Sequence, residues 1–284
     1  MSSGTSGAPT DWARYWRAER QPIEAMHAHF SSHVYHRHSH DSYSFGMTES
    51  GAQAFSCRGG SHVSAVGMVM LFNPDDPHDG HCATGHGFTY RMIHIDPGLV
   101  TDLLADVRGR PAGRPLFPRP VAEDTGLAAA LSDLHTVLTG TSTPLEQHEH
   151  LAAAVSRLTR HAVFRDRGTG PARHVTSASA ARAAARMRDL LHDEYARPLT
   201  ADDLAGAAGC GRYAAYRAFS ATFGLAPSDY QRQVRLRQAR RLLGAGLSPA
   251  EAAAEVGFAD QAHLTRWFRR CYGVTPGAYC RAAR

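Results

Sequence analysis

The sequence contains no lysine, and all 31 of its basic residues are arginine. It has no run of about 18 apolar residues, which excludes a helix that spans a membrane. Cysteine is scarce and scattered: Cys57, Cys82, Cys210, Cys271 and Cys280 form no C-x-x-C pair. A disulfide framework or a structural zinc ribbon is therefore not expected. The first twenty residues lack an apolar stretch and carry Asp11, Arg14, Arg17, Glu19 and Arg20, unlike a secretory signal. These absences predict a cytoplasmic protein with no membrane partner. No G-x-S-x-G, P-loop or G-x-G-x-x-G is present, so nothing organises a nucleophile or cradles a phosphate, and an enzyme is not expected.

What is present is ordinary globular composition, 43% hydrophobic and 20% charged over 284 residues. That length suits two domains. The charge is unevenly divided. Before residue 173 there are 14 arginines against 17 acids; from Arg173 onward there are 17 against 9. A basic C-terminal third beside a slightly acidic remainder points to a module that binds a polyanion.

Residues 1–20 begin polar and small and are expected to be a flexible terminus. From Ile23 to Ile95, short apolar runs (Tyr43–Met47, Ala52–Cys57, Met68–Phe72, Phe88–Ile95) alternate with turn signals. The turn signals include Glu49-Ser50-Gly51, Arg58-Gly59-Gly60 and Asn73-Pro74-Asp75-Asp76-Pro77. That pattern predicts a β-barrel or sandwich. A proline-rich connector at 109–120 leads to two helical patterns. One carries Leu127, Leu131, Leu134 and Leu138. The other opens with Thr143, Pro144 and Glu146, an N-cap signature, and carries Leu151, Val155, Leu158 and Ala162 as a heptad-like seam. The seam suits a dimer contact or packing on the strand domain. The division expected is a sensing domain at 21–118, a helical dimerisation segment at 119–167, a linker at 168–178 and an all-helical domain at 179–284. The fold class is thus α+β with two domains.

The helical third holds an internal repeat. At an offset of 48, Leu199 pairs with Leu247, Ala205 with Ala253 and Gly209 with Gly257. After one inserted residue, Arg217 pairs with Arg266, Phe219 with Phe268, Gly224 with Gly273, Pro227 with Pro276 and Tyr230 with Tyr279. In each copy Thr200 or Ser248 caps a short helix, a glycine ends it, and a second helix has an aromatic inner face and an arginine-bearing outer one. That is a helix-turn-helix, twice, joined by a long helix over Ser228–Leu243. The second copy, with Gly257-Phe258-Ala259-Asp260-Gln261, Phe268, Tyr272-Gly273 and Pro276, closely resembles the signature of the AraC/XylS family of transcription regulators. His263 and Ala215 depart from the family pattern. The resemblance implies a sequence-specific regulator of double-stranded DNA, dimeric and in contact with RNA polymerase. It places Arg212, Tyr213, Tyr216 and Arg217 of the first copy, and Gln261, Ala262, Thr265 and Arg266 of the second, at the DNA surface. Arg270 is expected on phosphates, with Phe219, Trp267 and Phe268 in the core.

In the N-terminal half, His36-Arg37-His38-Ser39-His40-Asp41-Ser42-Tyr43 and the later Pro77-His78 resemble the cupin-like sensor domain attached to many members. The resemblance implies a small β-barrel whose effector pocket includes His38, His40, Tyr43 and His78. In metal-binding cupins an H-x-H, a later His and a Glu hold the ion. Here His38, His40 and His78 supply three imidazoles suited to a divalent transition metal, but Ser44 and Phe45 stand where the Glu would be. The expected function is a regulator under a small-molecule effector. The alternatives are a metal-responsive regulator and a metal-dependent cupin enzyme with a helical appendage.

Overall fold

The computed structural model describes residues 11–18, 21–109, 111, 113–164 and 178–282. They divide into two units, one within 11–164 and one within 178–281.

The first unit is organised by one long strand, β4 (Tyr43–Cys57). Its leading half pairs antiparallel with β6 (Met68–Phe72) and β8 (Phe88–Ile95). Its trailing half pairs with β5 (Gly60–Ala65) and β7 (His78–Cys82). The strand changes sheets at a register shift between Thr48 and Ser50. Just beyond it Gly51 takes φ +68°, and a Cβ there would lie 2.1 Å from the Gly87 carbonyl oxygen. Glu49-Ser50-Gly51 is therefore a bulge and not the expected turn. Tyr43–Met47 and Ala52–Cys57 are two halves of one bent strand, because a bulge adds twist without ending the pairing.

The first sheet runs β1-β2-β8-β4-β6-β10, with β1 at Trp12–Arg17, β2 at Ile23–Phe30 and β10 at Val121–Glu123. On the second sheet β3 (Tyr35–His38) pairs with β7. The strand β1 corrects the expectation of a flexible stretch over 1–20. Trp12 packs edge-on against His27, with ring centroids 4.9 Å apart, and the Tyr15 hydroxyl donates to Glu24 at 2.6 Å. Residues 1–10 lie outside the described residues.

Period two decides what each strand buries. Along β8, Phe88, Tyr90 and Met92 turn into the barrel, while Ile93 and Ile95 join the cluster shared with the helices. In β6, Met70 and Phe72 face in and Val69 and Leu71 face out. Three helices cover the outer face: α1 (Pro97–Arg108), α2 (Thr125–Thr139) and α3 (Pro144–Leu158). Asp96, Asp124 and Thr143 cap them, and Thr143 forms a capping box with Glu146. A two-residue pair joins β9 (Pro115–Leu116), between α1 and α2, to β11 (Val163–Phe164), after α3.

The seam of α3 is the main correction in this unit. Leu151 and Val155 are fully buried, Leu158 is 2% exposed, and Ala162 packs on the same cluster as Leu127, Leu131 and Leu134 of α2 and Ile93 of β8. These side chains are buried within their own domain, so packing on the strands and on α2 accounts for the seam. The described part of the segment expected at 119–167, up to residue 164, accordingly shares the core of the barrel domain.

The second unit is helical: α4 (Ala178–Asp193), α5 (Ala201–Ala208), α6 (Arg212–Phe223), α7 (Pro227–Gly244), α8 (Pro249–Glu255), α9 (Gln261–Tyr272) and α10 (Pro276–Cys280). Ala183, Met187, Leu191, Ala215, Phe219, Tyr230 and Val234 form one core cluster. Ala215 is 1% exposed, so the small residue at that position is fully packed. The linker expected at 168–178 lies, up to residue 177, outside the described residues; Ala178 opens α4.

Candidate nucleic-acid interface and barrel interior

Both helix-turn-helix copies are built by local chemistry. Thr200 and Asp203 form a capping box at α5, and Ser248 and Glu251 form one at α8. Gly209 and Gly257 follow in the left-handed region at φ +67° and +80°. At Gly257 glycine is obligatory on a second count, since a Cβ would lie 2.1 Å from the Ala196 carbonyl oxygen. Arg235 of α7 braces that turn, donating to the carbonyls of Gly257 at 2.6 Å and Tyr195 at 2.7 Å. Sequence reasoning did not single out Arg235, because nothing local to it names these carbonyl partners.

On α6, Ala215 and Phe219 are buried, while Arg212, Tyr213, Tyr216 and Arg217 are exposed, Tyr213 at 73% and Tyr216 at 51%. The Arg217 guanidinium lies 5.3 Å from the Tyr213 ring centroid, and Arg212 is ion-paired with Asp202. On α9, Leu264, Phe268, Cys271 and Tyr272 are buried. Gln261, Ala262, Arg266, Arg269 and Arg270 are exposed, and Thr265 is half-buried. Phe219 and Phe268 sit in the core as expected from their spacing. Trp267 does not; it is half-buried, donates from Nε1 to His263 Nε2 at 3.1 Å, and lies between the guanidinium groups of Arg232 and Arg270 at 3.8 and 5.2 Å.

Inside the barrel the structure gathers His38, His40 and His78, whose ligand-capable atoms all lie within 4.8 Å of one another. All three are buried. The Nδ1 of His38 is 2.7 Å from the His36 carbonyl oxygen, and the Nδ1 of His78 is 2.9 Å from that of Asp76. A carbonyl can only accept, so both Nδ1 atoms carry the proton and Nε2 is the basic nitrogen. Phe72 stacks on His78 with centroids 4.0 Å apart. A fourth histidine, His94, stands 4.6 Å from the His40 ring and hydrogen-bonds the Ser44 hydroxyl through Nδ1 at 2.8 Å. Burial pushes His78 and His94 each down to about 4. It holds His38 well below its ordinary value, with the nearby His78 adding to the effect. His94 was missed from sequence, although it continues the even-numbered, inward series of Phe88, Tyr90 and Met92. The surrounding inward surface includes Met26, Phe30, Phe55 and Met70 and a hydrogen-bonded pair of hydroxyls, Tyr35 and Tyr90, at 2.6 Å.

Tyr43 does not belong to this set. Its ring stacks parallel to Phe45 in the helix-facing cluster, and its hydroxyl donates to the Pro115 carbonyl at 2.6 Å. The reason is parity: on β4, Ser44 reaches His94 inside the barrel, so its neighbour Tyr43 faces out.

A barrel domain with a polar cluster inside it, beside a domain with two capped helix-turn-helix motifs, defines a DNA-binding regulator with a ligand-binding domain. Residues 20–155 match the AraC-like ligand binding domain family, and residues 204–282 match a helix-turn-helix domain family. The uncharacterized HTH-type transcriptional regulator YbfI of Bacillus subtilis is 28% identical over 230 residues, 80% of each chain. The transcriptional activator NphR of a Rhodococcus species is 38% identical over 90 residues, 31% of this chain and 26% of its own length. Among solved structures, ToxT of Vibrio cholerae O395 aligns at a TM-score of 0.54 with 11% identity, covering 95% of this chain and 96% of ToxT. ToxT with a bound unsaturated fatty acid aligns at 0.53 with 11% identity, covering 96% of each chain. At that identity the likeness is one of fold. The chain belongs to the AraC/XylS family of transcriptional regulators. Among the described residues no helix is long and apolar enough to cross a membrane.

Proposed function

We propose that this regulator reads promoter DNA by placing α6 and α9 in the major groove. Arg212, Tyr213, Tyr216 and Arg217 face the DNA from the first helix. Gln261, Ala262, Thr265 and Arg266 face it from the second, with Arg270 on phosphate. The observation that carries this reading is the pair Arg217 and Arg266. They occupy equivalent repeat positions, and both are exposed on helices whose opposite faces are buried. Arginine at such a position suits guanine O6 and N7. The surplus of arginine in this third of the chain suits the phosphate backbone.

The barrel interior holds the effector, a small molecule with an apolar body, and its role is binding and not catalysis. The inward methionines and aromatics support that reading, as does the fatty acid bound by ToxT, which shares the fold. Action as a cytoplasmic homodimer in contact with RNA polymerase completes the reading and rests on the family assignment.

The test is a selection of duplexes from a random pool with the full chain, followed by fluorescence anisotropy on selected and random DNA. The full chain should prefer the selected duplex by about a thousandfold. The double variant Arg217→Ala/Arg266→Ala, with an unchanged circular dichroism spectrum, should lose most of that preference. Failure to enrich any sequence, or a variant that discriminates as well as the parent, would overturn the reading.

A further inference from the structure

We propose that the histidine cluster inside the barrel binds one divalent first-row transition-metal ion through Nε2 of His38, Nε2 of His78 and a ring nitrogen of His40. This site is separate from the DNA-reading surface and does not depend on it.

The argument begins with geometry. One ring nitrogen from each of the three histidines lies within 4.8 Å of the other two. Two imidazole nitrogens on one tetrahedral ion stand about 3.4 Å apart, given metal–nitrogen bonds of about 2.1 Å. Small side-chain rotations close that gap. His38 ends β3 and His40 follows two residues on, whereas His78 opens β7, so its convergence on that pair is a product of the fold.

The second observation is the orientation of the rings. His38 and His78 each give their Nδ1 proton to a backbone carbonyl two residues earlier in the chain, His36 and Asp76. A backbone carbonyl that takes one imidazole proton fixes the tautomer and raises the basicity of the other nitrogen, as in the outer shell of histidine metal sites. Two rings prepared in this way and brought together are more than chance packing of aromatic side chains requires.

The third observation is chemical. His38 is 3% exposed, His40 6% and His78 5%. Asp76 accepts from Arg58 and from the Asn73 side chain, and Asp79 accepts from the Ser56 backbone N–H at 2.6 Å. The group that converges is made of three histidines, a neutral, all-nitrogen donor set. It suits zinc, cobalt, nickel or ferrous iron, and does not suit magnesium or calcium, which take oxygen ligands. Three protein ligands would leave a position open on the ion.

The experiment uses the full chain stripped with a chelator and titrated with cobalt(II), followed by its visible absorption and by competition with a chromogenic chelator. Roughly one ion per chain should bind, and zinc should displace it. Zinc and cobalt should raise the thermal midpoint, and magnesium should leave it unchanged. His38→Gln and His78→Gln should each weaken binding by more than about tenfold, while His148→Gln, an exposed histidine on α3 outside the cluster, should not. X-ray absorption on the wild-type complex should report imidazole nitrogen donors, which keeps the test decisive even if a histidine variant misfolds. Absence of stoichiometric binding by folded wild-type protein, or a donor set of sulfur or of oxygen alone, would overturn the proposal. So would undiminished binding by folded His38→Gln and His78→Gln proteins.

Discussion

Arg232 of α7 stacks its guanidinium 3.8 Å from the ring centroid of Trp267 on α9 while donating to Asp229 at 2.6 Å. The long helix thereby holds α9 through a half-buried cation–π contact. Arg232→Met keeps the aliphatic stem and removes the charge. It should destabilise the helical domain by about 1 kcal/mol, read as a lower thermal midpoint. An unchanged midpoint would mean that the stem, and not the cation, makes the contact.

The two classes of arginine on α9 should separate in a salt series. Arg266→Ala should cost about 1–3 kcal/mol on the selected site and relax preference at one or two base pairs. Arg270→Ala should weaken selected and random duplexes alike and lower the salt slope by about one. Anisotropy at several salt concentrations measures both. An Arg266 variant that keeps its ratio of selected to random affinity would remove α9 from the groove.

Leu158 is buried in the barrel domain's own core. Leu158→Ala should therefore destabilise that domain by about 2–5 kcal/mol and leave the oligomeric state as it was. Denaturant unfolding and light scattering measure the two effects. A folded, stable variant that dissociates would restore the seam to a subunit contact.

His135 on α2 is 2% exposed, and its Nε2 lies 3.1 Å from the Met26 carbonyl oxygen. Burial, aided by nearby Arg91 and His27, pushes it down to about 4. In the unfolded chain an ordinary histidine titrates near 6.5. The unfolded state therefore binds more protons between those values, and stability must fall as pH drops from about 6.5 to about 4. His135→Gln keeps an N–H donor for Met26 and removes the titration. The parent should lose about 1–3 kcal/mol more than the variant over that range. Parallel acid unfolding curves would show that His135 is not a source of the loss.

The parts of this regulator that were legible in its sequence are those whose signals are local. Thr200 and Ser248 announce helix starts within three residues, Gly209 and Gly257 announce the turns, and the repeat aligns Arg217 with Arg266 without reference to the rest of the chain. The spacing of His38, Ser39 and His40 likewise puts two imidazoles on one side of an extended segment.

Where a residue's role depends on what lies across from it, the pattern was silent. Leu151, Val155 and Leu158 form an apolar stripe that reads the same against a second chain or against the strands beneath, and only the packed structure names Ile93 and Leu131 as neighbours. A single step of strand parity separates Tyr43, among the helices, from Ser44, inside the barrel. His94 joins the histidine cluster through a pairing 50 residues distant in sequence, with Ser44. Caps and turns are satisfied by backbone groups a few residues away, so sequence encodes them directly. The inside of a barrel exists only once β4 has bent between its two sheets, and which imidazoles meet there is decided by strand register.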